Sequence, residues 1–255
     1  MLPKRLIARL DIKGESLVKG IQLEGLRKIG DPLEASQNYY KQGIDEILIV
    51  DVVASLYSRV HIFEIISYIT SELRIPVTVV GGIRNLEDAK RLFGAGADKI
   101  GVNSQATKTP KFLNELAEIY GAQAVVSSIE AKFVRELNEY YLFTESGRNN
   151  SGIKLNDWLT TIQRMEIGEV LVTSVDSDGM QRGPDLNLIS STRDLTELPL
   201  LYSGGIASMN GALETLKLGV DGLCIASALH YKKIEIKDLK SALSEHDIHM
   251  RQAIN

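Results

Sequence analysis

The chain has 255 residues, 44% of them hydrophobic and 24% charged, with a formal net charge of −4. That composition excludes a mostly disordered chain, the mild acidity offers no basic excess for nucleic acid, and no apolar run reaches the ~18 residues of a membrane span. A single cysteine, Cys224, excludes a disulfide framework and a four-thiolate metal site.

In chain order, short apolar runs occupy residues 5–11, 46–52, 77–82, 99–104, 124–131, 169–176, 200–205 and 222–228. Many are near-continuous in Ile, Val and Leu, as expected of strands buried on both faces of a parallel sheet. The charges within the opening segment argue against a signal peptide. Segments 31–42, 86–94, 110–120, 155–165 and 211–218 read as helices, and Asp31 before Pro32 fits an N-cap followed by a first-turn proline. The polar segment 133–150 reads as an insertion after the fifth run, a small hairpin over the site. Eight strands alternating with helices fit a closed (β/α)8 TIM barrel, with a doubly wound open sheet as the competing architecture.

An internal repeat favours the barrel. Gly81-Gly82-Ile83 recurs as Gly204-Gly205-Ile206, and at the same shift Glu46, Gly96, Asp98 and Ser104 meet Glu169, Gly219, Asp221 and Ser227. At a slightly shorter interval Leu10-Asp11-Ile12-Lys13 meets Ile129-Glu130-Ala131-Lys132. With no Pro/Gly/Ser-rich linker between the copies, the expectation is one domain over 1–255, built from two similar half-barrels.

Active sites of such barrels form at the C-terminal ends of the strands. Asp11 and Glu130 end the first and fifth strands, on opposite sides of the mouth, where two carboxylates can serve as acid and base if their environments separate their pKa values. The plainer alternative is that each caps a loop or pairs with Lys13 or Lys132. The two Gly-Gly-Ile turns, with Asn85 and Ser208 as helix caps, and the small polar turns Asn103-Ser104 and Ala226-Ser227 make one phosphate cradle per half. Two cradles imply a substrate with a phosphate at each end; tight strand-to-helix turns are the alternative. Lys19 either meets a phosphate over the mouth or is a solvated loop lysine. Arg5, Glu46, Lys99 and Glu169 begin strands at the barrel bottom and form a salt-bridged ring, read either as structural or as a gate or docking face. No metal, cofactor or thiol chemistry is expected: Asp176-Ser177-Asp178-Gly179 lacks the further ligands of a calcium loop, His61 and His230 are isolated, and His246 and His249 lie in a polar tail. Trp158 and Tyr39-Tyr40 read as helix packing.

Together these residues resemble the cyclase subunit family of imidazole glycerol phosphate synthase, from histidine biosynthesis. The likeness includes Arg5 through Lys13, Val18-Lys19-Gly20, Gly30-Asp31-Pro32, Gly43 to Glu46, Gly81-Gly82-Ile83, Gly96 to Lys99, Ser146-Gly147-Arg148, Gly168-Glu169, Thr173 to Asp176 with Asp178-Gly179, and Ser203-Gly204-Gly205. The resemblance implies a cyclase that uses ammonia to convert a phosphoribulosyl-formimino aminoimidazole carboxamide ribonucleotide into imidazole glycerol phosphate and aminoimidazole carboxamide ribotide. The ammonia comes from a glutaminase partner docked at the barrel bottom. The family's catalytic pair falls on Asp11 and Glu130. Its substrate and phosphate contacts fall on Lys19, Gly82, Asn103, Ser104, Asp178, Gly179, Gly205, Ala226 and Ser227. Its gate falls on Arg5, Glu46, Lys99 and Glu169, and its partner contact on Asp98, with Gln123 nearby. No cofactor, nucleic acid or membrane is implied, and the intracellular metabolites imply a cytoplasmic location.

Two departures stand out. The second catalytic residue of the family is normally Asp and here is Glu130, and the usual Pro-Cys before Leu-Asp is Ala8-Arg9. Residue 9 lies two before Asp11 and so points into the barrel, where a guanidinium needs a partner. Glu130 or a gate glutamate is the expected one. The departures also resemble a divergent branch that passes ammonia to a sugar amidotransferase in surface-polysaccharide synthesis, where acetamidino sugars are made. A third reading is the related phosphoribosyl isomerase.

Overall fold

A computed structural model describes residues 3–52 and 60–251. Eight parallel strands form the wall: β1 (Arg5–Lys13), β4 (Glu46–Asp51), β5 (Val77–Val80), β6 (Lys99–Val102), β7 (Val125–Val134), β10 (Glu169–Ser174), β11 (Leu200–Ser203) and β12 (Gly222–Ile225). Each is bonded to the next in that order, and β12 returns to β1 with Arg5 against Gly222 and Ala8 against Ile225. That last pairing closes the cylinder and removes the open doubly wound sheet. Eight parallel strands with helices outside are a (β/α)8 TIM barrel.

Side-chain alternation sorts the wall into two apolar zones. Even-numbered residues of β1, Leu6, Ala8, Leu10 and Ile12, join the zone beneath the helices. Ile7 points the other way and meets Leu48, Val80, Val126, Leu171, Leu201 and Cys224 in a separate layer inside the cylinder. The interior is therefore packed rather than open. Cutting one of these lumen side chains to alanine costs about 2–5 kcal/mol, because a closed cylinder cannot collapse onto the hole.

The outer helices start where the sequence places their caps. Asp31 caps α1 (Pro32–Lys41), with Pro32 in its first turn. Asn85 caps α3 (Leu86–Gly94) and Ser208 caps α8 (Met209–Lys217). The remaining helices are α2 (Val60–Glu72), α4 (Ser104–Lys108), α5 (Lys111–Tyr120), α6 (Leu155–Ile162), α7 (Leu186–Arg193), α9 (Ser227–His230) and α10 (Ile236–Glu245). Among the described residues, no helix is long and apolar enough to cross a membrane.

The repeated aspartates have a structural task. Asp98 accepts a hydrogen bond from the Val77 amide at 2.8 Å, and Asp221 accepts one from the Leu200 amide at 2.9 Å. Each carboxylate ties the start of the preceding parallel strand. Asp45 does the same for the Leu6 amide at 2.8 Å.

Among the described residues, four further strands were not among the eight apolar runs. The insertion after the fifth wall strand is a hairpin, as expected, but a longer one: β7 runs on to Val134 and is followed by β8 (Glu139–Thr144) and β9 (Asn149–Lys154). Its counterpart, unforeseen, is β2 (Ser16–Ile21) and β3 (Glu24–Gly30), rising from β1. Both halves thus extend their first strand into a hairpin over the mouth.

Candidate functional site

Both hairpins converge on the loop after β10. The Gln22 amide donates to the Asp178 carbonyl at 2.8 Å, and the Phe133 amide donates to the Asp176 carboxylate at 2.9 Å. Tyr140 on β8 donates its hydroxyl to Asp185, the cap of α7. Gly179 sits where the first hairpin crosses: a Cβ there would lie 2.2 Å from the Gly20 carbonyl oxygen. The close approach and the positive φ of 71° both require glycine.

Beneath this roof lies a closed ring of four charges. Arg9 Nε donates to Asp11 Oδ1 at 2.7 Å, while Nη1 donates to Ser203 Oγ at 2.9 Å and lies 3.6 Å from Asp178 Oδ1. Lys19 Nζ bridges Asp11 Oδ2 at 2.7 Å and Asp178 Oδ2 at 2.8 Å. All four side chains are no more than 4% exposed. Burial works against an ionised Asp11, but Arg9 and Lys19 outweigh it and hold the carboxyl well below the usual carboxylate range. Arg9 does point into the lumen, but its partners are Asp11 and Asp178 rather than Glu130 or a gate glutamate. Lys19 is neither solvated nor in a loop; it lies on β2, fully paired. Lys13 takes no part.

Glu130 occupies the place of Asp11 in the second half, with opposite surroundings. Its Oε2 accepts from the Gly147 amide at 2.8 Å, at the β8–β9 turn, and Asn103 lies within hydrogen-bonding reach. Burial pushes the carboxyl up to about 7, against the pull of the Gly147 amide and of Arg9. Lys132 does not pair with it and lies over the Phe143 ring. Asn103 donates to the Phe143 carbonyl, leaving its buried Oδ1 without a partner. The Asn103 contact, like the Gly147 amide, favours the ionised form of Glu130, so the upward shift is the work of burial.

The two glycine turns are near copies. Gly82 and Gly205 have φ of 67° and 73°. The residues opening the neighbouring short helices also match: Asn103 at φ −111°, ψ −85° and Ala226 at φ −116°, ψ −86°, both without a side-chain cap. The first amides of α4 and α9, at Ser104 and Ser227, thus have no side-chain cap, and both helices start directly after a wall strand, β6 and β12, where an anion could meet them. A Cβ on Gly205 would lie 2.0 Å from the Gly183 carbonyl oxygen, which fixes glycine there.

The other end carries a second ring. Arg5 Nη1 lies 2.8 Å from Glu46 Oε1 and 2.8 Å from Glu169 Oε1. Lys99 Nζ closes the circuit at 3.4 Å to Glu46 Oε2 and 3.0 Å to Glu169 Oε2. Asp98 and Gln123 are exposed on the same end, ahead of β6 and β7.

The remaining candidates stay apart from the site chemistry. Cys224 is buried inside the cylinder, and burial pushes its thiol up to about 12. Trp158 is buried and donates Nε1 to Ser127 Oγ. His230 Nδ1 pairs with the Tyr39 hydroxyl at 2.7 Å, and burial pulls the ring down to about 4, so it is neutral at pH 7. Among the described residues no cluster of three or more His, Cys, Asp and Glu side chains could hold a metal ion. Sequence reasoning missed the Arg9–Asp178 and Lys19–Asp178 contacts and the role of Ser203; their only signal was an uncompensated lumen arginine.

Comparison with known proteins agrees with this architecture. The family model described as "Histidine biosynthesis protein" matches residues 5–235. The imidazole glycerol phosphate synthase subunit HisF of Thermotoga sp. (strain RQ2) is 40% identical over 251 residues, 98% of each chain. The subunit of the same name from Bacillus pumilus (strain SAFR-032) is 38% identical, covering 98% of this chain and 100% of that protein. Its namesake from Legionella pneumophila is 43% identical over 206 residues, 80% of this chain and 96% of that protein.

Proposed function

The chain belongs to the histidine biosynthesis protein family, and on that footing we propose that it is the cyclase subunit of imidazole glycerol phosphate synthase. It is an enzyme that uses ammonia to convert the formimino aminoimidazole carboxamide ribonucleotide into imidazole glycerol phosphate and aminoimidazole carboxamide ribotide. Residues 1–255 act as a single catalytic domain.

The observation that carries the site assignment is the contrast between Asp11 and Glu130: equivalent positions in the two halves, one carboxyl held ionised, the other raised to about 7 and so shared between its two forms at neutrality. Such a pair divides the work of base and acid across a bound substrate. Gly82, Asn103 and Ser104 take one phosphate; Gly205, Ala226 and Ser227 take the other. Gly179 and Asp178 line the mouth between them. Lys19 is drawn from Asp11 toward a substrate phosphate, which leaves Asp11 Oδ2 free to accept a proton. Glu130 donates one from the opposite side.

The partner is a glutaminase subunit that docks on the barrel bottom at Asp98 and Gln123. Ammonia from it passes the ring of Arg5, Glu46, Lys99 and Glu169. The layer above them is apolar, and burying an unpaired charge there is costly, so the species that crosses is neutral ammonia rather than ammonium. The reaction takes place in the cytoplasm.

A second reading has one observation in its favour. Arg9 and Lys19 occupy both oxygens of Asp11, as suits a barrel retained to pass ammonia to a sugar amidotransferase. Ammonium-driven consumption of the formimino bisphosphate by the isolated chain decides between them. Loss of substrate absorbance that is abolished in Asp11→Asn supports the cyclase; no turnover and no binding of the bisphosphate supports the conduit.

A further inference from the structure

Arg9 has no task in the reaction as described, yet it is a buried cation placed against one oxygen of the Asp11 carboxylate, and burying it demands a reason. Its guanidinium crosses from β1 to Ser203 at the end of β11, and its two faces of contact are unequal. The short bond is to Asp11 Oδ1 at 2.7 Å; Asp178 lies at 3.6 Å. The planar fork and the Ser203 hydroxyl set the orientation, since a guanidinium bonds only in its own plane. Directly below lies the apolar layer of Ile7, Leu201 and Cys224, which offers no alternative acceptor. The Asp11 carboxylate is therefore held by one oxygen from beneath, while the other faces Lys19 on the first hairpin.

We propose that Arg9 is a positioning residue: it pins Oδ1 of Asp11 against the floor of the site, so that Oδ2 alone exchanges a proton with substrate. The inference deepens the cyclase reading and rests on it for its kinetic arm. When Lys19 turns to a phosphate, Asp11 keeps one cation and one fixed orientation. The charged and titratable groups around Asp11 are Arg9 on its own strand, Lys19 on β2, Asp178 after β10, Glu130 on β7, Cys224 on β12 and His230 on α9. Of these, only Arg9 and Lys19 touch it.

The test compares Arg9→Met and Arg9→Lys with the parent chain. Arg9→Met lowers kcat of ammonium-driven turnover about 100-fold, as for a reacting group displaced by ~1 Å, with KM for the bisphosphate within about threefold. Its acid limb in kcat against pH moves up by about one unit or more, because Asp11 has lost its standing cation. Arg9→Lys keeps the charge without the fork, so it restores the acid limb but only part of kcat. Unchanged kcat in Arg9→Met, or a loss of kcat with an unmoved acid limb, overturns the proposal. A second readout needs no turnover: the carbon-13 resonance of the Asp11 carboxyl, assigned with Asp11→Asn. The parent shows no titration through the ordinary carboxylate range and Arg9→Met titrates within it; identical behaviour in the two overturns the positioning role. A parent chain that is silent in turnover, with the resonance shifted in Arg9→Met, sinks the cyclase reading alone.

Discussion

Asp11 and Glu130 stand at matching positions of β1 and β7, where each strand leaves the barrel wall for its hairpin, in two halves with the same strand, hairpin and glycine turn. What differs is who stands beneath them. Two residues below Asp11 is Arg9; two below Glu130 is Ser128, small and uncharged. The first hairpin delivers Lys19 to its carboxylate, and the second delivers only the backbone amide of Gly147. Repeating a backbone repeats a position, and the neighbouring side chains then decide whether a carboxyl there is charged.

The largest break in this comparison is Asp11→Asn. It removes the proton acceptor and leaves Arg9 and Lys19 with one fewer anion; turnover with ammonium falls by about 10³-fold or more, read in a substrate-absorbance assay. Glu130→Gln comes next, with a loss of about 100-fold. In the parent, activity that needs protonated Glu130 declines as pH rises through about 7. The same residue links to stability. Its folded pKa of about 7 exceeds the ordinary 4.5, so the fold binds the extra proton and loses stability as pH rises between those values, by on the order of 3 kcal/mol. Glu130→Gln removes that loss. Its Tm exceeds the parent's by about 5 °C at pH 8 and matches it near pH 5, as calorimetry at the two pH values will show. The smallest effect is Gly147→Ala. The turn has φ of 75°, and a Cβ would lie 2.9 Å from Val175. The substitution costs about 1–2 kcal/mol in urea unfolding and a few-fold in kcat, by loosening the amide that meets Glu130.

The sequence disclosed the parts of this molecule that depend on local pattern. Continuous Ile and Val runs marked the eight wall strands, and Asp31, Asn85 and Ser208 marked three helix starts. The bottom ring was readable because Arg5, Glu46, Lys99 and Glu169 each lie at or near a strand start, and a closed barrel brings strand starts together. The upper ring was not. Lys19 lies on a hairpin whose outer strand, β3, is largely exposed and so lacks an alternating apolar signature. Asp178 lies in a loop, where no period fixes direction. The lumen arginine was foreseen and its partners were not, because pairing depends on the stagger between β1, β11 and the loop after β10, which no single strand encodes.

The pairing of β1 with β12 has a consequence for how the protein is made. Lys4 and Asp221 meet across that seam, 217 positions apart. On a ribosome adding about 5–20 residues per second, β1 emerges roughly ten seconds or more before its last neighbour exists. Through that interval one edge of a strongly apolar strand faces solvent unpaired, an open template for other chains. The nascent barrel therefore passes through a stage in which chaperone capture and misassembly compete with closure, and the cationic Lys4 and Arg5 at the foot of the strand are the only charges along it until Arg9.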